Sequence, residues 1–231
     1  MKKIALSLVL FLGALCFIPL PSTIATAGVI ADRATLDALL GASEVTENFE
    51  AFSIAPGGST FLGITSLNAG TTTLGQGPGL VVPGVQFGSP TNLQWNGAGY
   101  FGQPSKDILG YNPLAINFAI PTNAFGLDLL AFKGYPETAT VTIYGADDIS
   151  EIAKISGIGL PSSASPIFFG YSDNSGIGKV LLEQQPDRWS PIIDNLSFGT
   201  PTPIPEPATM LLLGSGLIGL GVYWRKKFLK K

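Results

Sequence analysis

The sequence predicts an all-β fold, a jelly-roll-like antiparallel β-sandwich with one short N-terminal helix. Three observations carry this. Between Val45 and Phe198, short apolar runs are separated by clusters of Gly, Pro, Asn and Asp at sandwich-like spacing. Several runs alternate residue by residue. Val141 and Ile143 against Thr140, Thr142 and Tyr144 mark a strand with one dry and one wet face. Helical spacing occurs once, just before this region, and no repeat of fixed period is visible.

The elements follow in order. Residues 1–27 start with Lys2 and Lys3, continue apolar from Ile4 to Leu20 and end in Ala25-Thr26-Ala27. This is the pattern of a secretory signal peptide cut after Ala27, with Ala25 and Ala27 as the small cleavage-site residues. Cys16 follows Leu15 where a lipoprotein signal wants a small residue, so lipidation there is not expected. Residues 28–200 then make one exported domain large enough for its own core.

The domain opens with a helix. Asp32 suits its N-cap, Leu36, Leu39 and Leu40 share a face, and Gly41 suits the C′ position. Strands are expected over 45–52, 79–87, 93–101, 114–120, 124–132, 138–144, 152–158, 167–171, 178–183 and 192–198. The glycine-rich stretch 56–84 reads as long loops with short edge strands. Asp147-Asp148 and Asp173-Asn174-Ser175 read as polar turns.

The end of the chain has three parts. Residues 201–207 are a proline-rich spacer ending in Pro205-Glu206-Pro207. Residues 208–224 are apolar and uncharged; as a helix they span roughly 26 Å, enough for a thin bilayer core. Residues 225–231 supply Arg225, Lys226, Lys227, Lys230 and Lys231, which favour a cytoplasmic C-terminus. Tyr223 and Trp224 sit at the depth aromatic rings prefer.

This succession resembles the PEP-CTERM sorting signal of exported proteins in Gram-negative bacteria. The resemblance covers only the tail. It implies recognition by an exosortase, a membrane-embedded cysteine transpeptidase that removes helix and basic tail. It also implies transient residence in the inner membrane, then the cell surface, outer membrane or extracellular matrix, and an association with exopolysaccharide and biofilm. A plain single-pass anchor is the alternative reading of the same residues.

Charge and composition narrow the chemistry. The chain has 13 basic and 16 acidic residues, but residues 28–200 hold only six of the basic ones and 15 of the acidic ones, a net charge of −9. Such a domain repels nucleic acid, so no nucleic-acid partner is expected, and it suits an exported protein or one that takes up divalent cations. The chain has no His, and its single Cys is Cys16. Disulfides, a Ser-His-Asp triad, a Cys nucleophile and His/Cys zinc sites are therefore excluded from the exported domain. An enzyme is not expected. A secreted glycoside hydrolase would have to draw on carboxylate pairs such as Asp107 and Asp128 or Glu151 and Glu183.

The texture of Phe49-Glu50, Ala124 to Asp128, Phe168 to Tyr171 and Ile193 to Phe198 also resembles lectin-like and carbohydrate-binding jelly rolls. In that arrangement the first and last strands are neighbours, which would bring Glu50 beside Asp194. The resemblance implies that such a pair holds a structural Ca²⁺, completed by loop carbonyls. Trp189, in a proline-bounded loop, and Trp95 are the candidate rings for stacking on sugar, with Tyr100, Phe101 and Tyr111 as further aromatics. The expected function is thus a non-catalytic exported surface or matrix protein. A carbohydrate-binding module, with or without Ca²⁺, is the alternative.

Overall fold

The structure is a computed structural model that describes residues 27–131, 137–161, 165–185 and 188–200. The expected signal peptide up to residue 26, spacer, membrane helix and basic tail lie outside the described residues. Among the described residues no helix is long and apolar enough to cross a membrane.

The domain is mostly antiparallel β-sheet with one short helix. The strands are β1 (Gly28–Ile30), β2 (Val45–Glu47), β3 (Ser59–Phe61), β4 (Ser66–Asn68), β5 (Val85–Gly88) and β6 (Leu93–Asn96). They continue with β7 (Asp107–Gly110), β8 (Leu114–Leu130), β9 (Glu137–Gly145), β10 (Glu151–Leu160), β11 (Ile167–Gln185) and β12 (Ile192–Gly199). The helix α1 (Arg33–Leu40) has Asp32 as N-cap, its side chain accepting from Thr35 N, and Gly41 beyond its last turn, as the sequence predicts.

Two long strands make the sandwich. The first part of β8 pairs with β5 and its second part with β12, while β11 runs alongside both parts. Strand β11 pairs on its other edge with β1 and then with β9. One layer is therefore β4-β5-β8-β11-β9-β10. The other is β1-β11-β8-β12, extended by β2 at one end of β12 and by β7-β6-β3 at the other. Strands that bend from one sheet into the next are a known way to close a sandwich corner.

The bends carry the residues that read as breaks. Pro121 lies within β8 and Asp173-Asn174-Ser175 within β11, where the register shifts between Ser172 and Ile177. The expected pairs of strands 114–120 with 124–132 and 167–171 with 178–183 are thus single bent strands. The predicted turn at Asp147-Asp148 does link β9 to β10, with Asp147 Oδ1 accepting from Ile149 N and Ser150 N.

The core lies between the layers, where Phe118 packs on Phe125 and Phe198, and Phe125 on Phe169. At one end Trp95 is enclosed by Phe49 and Phe52 and donates its ring N–H to Phe49 O at 3.0 Å. Trp95 is 0% exposed. The expectation that it stacks on sugar is corrected: its indole is core, because β6 turns this residue inward against the 49–52 turn.

Candidate functional site

Alternation along β8 organises the face turned away from the core. Leu127 and Leu129 point into the core, so Ala124, Gly126, Asp128 and Leu130 share the other face. Ala124 and Gly126 lie under α1. There Ile30, Leu36 and Leu40 form a small apolar cluster, and a Cβ on Gly126 would come within 2.6 Å of Leu36 and Phe168. Leu130 joins Leu109 and Ile192 in a second cluster edged by Trp189. Asp128 sits between the two clusters.

It ends a polar row that crosses four strands. Asn96 on β6 opposes Asp107 on β7, and Asp194 on β12 opposes Asp128 on β8. Ile108 opposes Ile193, so one residue along the same antiparallel pair Asp107 faces Asp194. Directly opposed residues have Cβ atoms roughly 4.5–5.5 Å apart, and like charges so placed destabilise a sheet. The row Asn96, Asp107, Asp194, Asp128 therefore holds three successive carboxyl groups.

Their partners divide them. Arg33 Nη2 donates to Asp128 Oδ1 at 3.0 Å and to Asn195 O at 2.9 Å, Nη1 donates to Ser197 Oγ, and the guanidinium lies 5.1 Å from the centre of the Phe168 ring. Asn195, at φ +47° where the β12 register shifts, places its side-chain amide between Asp128 Oδ2 (2.9 Å) and Asp194 Oδ2 (3.2 Å). Asp194 also accepts from Ser105 Oγ and from Asn195 N. Asp107 Oδ1 accepts from Asn96 Nδ2 at 2.6 Å, while its Oδ2 is buried without a hydrogen-bond partner.

Burial raises both central groups. Asp107, 1% exposed, is pushed up to about 7, chiefly by burial and further by the charge of Asp194, against the hydrogen bond from Asn96. Burial likewise pushes Asp194 up to about 6, with added repulsion from Asp128 and Glu50 and opposition from the Ser105 and Asn195 hydrogen bonds.

The expected Glu50–Asp194 pair is close enough for the Glu50 charge to act on Asp194, but Glu50 is not the residue opposite it in the sheet. Strand β2 does lie against β12, but it ends at Glu47, and Glu50 falls in the turn beyond it. There Glu50 Oε1 accepts from Lys106 N at 3.0 Å, and Oε2 stands 3.4 Å from Lys106 Nζ. Glu50 is answered by a cation of its own, and the carboxylate opposite Asp194 is Asp107. Among the described residues no group of three or more His, Cys, Asp and Glu side chains is placed to hold a metal.

The carboxylates named for hydrolysis stand in different surroundings. Asp107 is buried, Asp128 is held by Arg33, and Asp194 lies between them. Glu151 and Glu183 pair with residues four positions apart on β9. An open groove of about 460 Å³ lies beside Arg33, lined by Asp37, Glu44, Thr46, Asp128, Asn195 and Ser197.

Trp189 stands elsewhere, half-buried near the β3 edge. Its ring stacks on Phe61 (centroids 5.8 Å apart, 23° between planes) and on Tyr111 (4.4 Å, 30°). Phe61 is 49% exposed, so the cluster presents an aromatic face to solvent. Phe61 escaped the sequence reading because its edge strand lies in the glycine-rich stretch, where nothing marks which side of the strand is open.

No curated protein matches the chain. Two solved structures show weak likeness, each with a TM-score of 0.34. One, the K2 cleaved adhesin domain of Lys-gingipain, is 13% identical over 68% of this chain and 100% of its own. The other, the catalytic domain of a GH87 alpha-1,3-glucanase in complex with tetrasaccharides, is 14% identical over 72% of this chain and 30% of its own. Such likeness carries no functional argument. The tail is more informative: residues 203–227 match the PEP-CTERM protein-sorting motif, consistent with an exosortase substrate exported to the cell envelope or surface.

Proposed function

We propose that this is a non-catalytic exported protein of the cell surface or extracellular matrix, handled by an exosortase through its tail and associated with exopolysaccharide. The observation that carries the reading is the match of residues 203–227 to the sorting motif. It is supported by the signal-peptide pattern at the other end and by an acidic domain without His or Cys. Replacing Pro205, Glu206 and Pro207 together by Ala is expected to leave full-length chain in the inner-membrane fraction. Processing and delivery unchanged from wild type would overturn the sorting assignment.

The aromatic cluster favours a second reading, a carbohydrate-binding module that stacks sugar rings on Phe61 and Trp189. Rigid rings of this kind bury large areas at small entropic cost. In a pull-down on the producing cell's own exopolysaccharide, Phe61→Ala and Trp189→Ala are expected to reduce retention about tenfold each, the effect of losing roughly 1.4 kcal/mol. Retention equal to wild type in both variants, or no retention of wild type, would remove this reading.

A further inference from the structure

We propose that the end of the sandwich carrying Ile120 and Ile149 rests on the phospholipid surface of the membrane that the tail enters, so that the domain stands on the bilayer by an apolar tip before the tail is cut. The proposal rests on the reading of residues 208–224 as a membrane segment. Ile120 is 81% exposed and Ile149 80%, more than any other large apolar side chain among the described residues. The two are distant in sequence, and the fold brings them to one place. Ile120 stands with Pro121 in the bend of β8, and Ile149 in the turn from β9 to β10. Gly176, in the bend of β11, lies between these segments: a Cβ there would come within 3.3 Å of Pro121 Cβ and 3.4 Å of Ala146 Cβ. Ile120, Pro121, Ala146 and Ile149 are all exposed. Single exposed apolar residues are ordinary, whereas a grouped patch marks an interaction.

The place where the chain leaves the domain is an independent observation. Gly199, the last residue of β12, pairs with Ala124, and its N–H donates to Thr122 Oγ1 at 2.8 Å. The exit is therefore held beside the β8 bend that carries Ile120. Ile177 pairs with both Thr122 and Gly145, so the exit, the bend and the β9–β10 turn share one end of the sandwich. Gly28, paired with Ser172 just before the β11 bend, brings the start of the domain to that end too. Residues 201–207 separate the exit from the apolar run and reach at most roughly 25 Å fully extended. A tether this short keeps the isoleucine end of the domain at the bilayer.

The chemistry of the tip selects apolar insertion over charge attraction. The bends and the turn carry Asp147, Asp148 and Asp173 against Lys179. Asp147 Oδ1 accepts from Ile149 N and Ser150 N, Asp173 Oδ1 accepts from Ser175 N, and Lys179 Nζ donates to Asp148 O at 2.6 Å. This acidic surround is not drawn to anionic headgroups. What the tip offers a membrane is its isoleucines, which enter at the boundary of headgroups and acyl chains. Tethering makes that contact intramolecular, so side chains too few to hold a free domain suffice for a tethered one. At the other end, Asn112 Nδ2 donates to Gln184 O, and Gln184 pairs with Ala139, which places Tyr111 and Trp189 near the far ends of β9 and β11. A domain standing on Ile120 and Ile149 turns the Phe61–Trp189 face away from the lipid.

The test uses the full chain reconstituted by its tail into vesicles of phosphatidylethanolamine and phosphatidylglycerol, with Cys16→Ser so that a dye attaches only at an introduced cysteine. An environment-sensitive dye at Ala146→Cys is expected to shift to the blue on reconstitution and to be quenched by nitroxide lipid. It should be several-fold less accessible to aqueous iodide than the same dye at Gln185→Cys, an exposed position at the opposite end. Added salt should leave that protection unchanged. Ile120→Ser combined with Ile149→Ser should abolish it while keeping the wild-type unfolding temperature, since both side chains are exposed. A chain that does not float with the vesicles would overturn the tail reading and the proposal with it. A chain that floats but leaves the Ala146→Cys dye as accessible as the Gln185→Cys dye would overturn the proposal alone, as would protection that survives in the Ile120→Ser/Ile149→Ser variant. Protection lost on dilution to one chain per vesicle would assign the tip to a second copy and overturn the lipid contact.

Discussion

Asp107 shows how a single residue is defined by its neighbours across strands. Its carboxyl is raised to about 7 and that of Asp194 to about 6, from ordinary values of 3.8. The folded chain therefore holds protons that the unfolded chain releases. The stabilisation is fully present below about pH 4 and is lost as pH rises through 6 and 7. Asp147, pulled down to about 2 by Ser150 and Ile149, works in the opposite sense but only at more acid pH. In EDTA, the urea midpoint is expected to fall between pH 5 and pH 8, and Asp107→Asn should flatten the fall. A midpoint higher at pH 8 than at pH 5 would contradict this. The sequence named Asp194 but paired it with Glu50. Which carboxylate lies opposite depends on the register of β7 against β12, set by tertiary packing and invisible in a local pattern.

At the scale of elements, α1 was legible down to its cap because a helix start is written in adjacent residues. Its docking was not. The helix sits close to the sheet because Gly126 on β8 has no side chain, and Leu36 and Phe168 occupy the space a Cβ would take. Gly126→Val is expected to destabilise the fold by about 1–3 kcal/mol through overpacking, measured as a lower urea midpoint. An unchanged midpoint would show that α1 is not seated on this glycine. The bent strands β8 and β11 were read as four separate ones for a related reason. A corner in a strand uses the same Pro and Asp-Asn-Ser chemistry as a turn between strands, so local sequence separates the two poorly. Strand β7 was missed altogether. Its four residues begin with an aspartate whose burial follows from the sheet and not from its type.

For the molecule as a whole, the fold class was legible from alternation and turn spacing, while the site was legible only in part. Trp189 keeps a ring in an exposed aromatic cluster, whereas Trp95 is core. Both follow Asn- or Pro-rich context in the sequence, and what separates them is the inward turn of β6. The C-terminal sorting motif was legible because such signals are linear, recognised as charge, apolar length and short motifs apart from folding. Residues 28–200 carry a net charge of −9, while seven of the 13 basic residues lie in the end segments. The most direct measurement is the intact mass of the protein recovered from the cell surface. A species that begins at Gly28 and lacks residues 208–231 is expected. Recovery of the protein with residues 208–231 still attached would contradict exosortase processing.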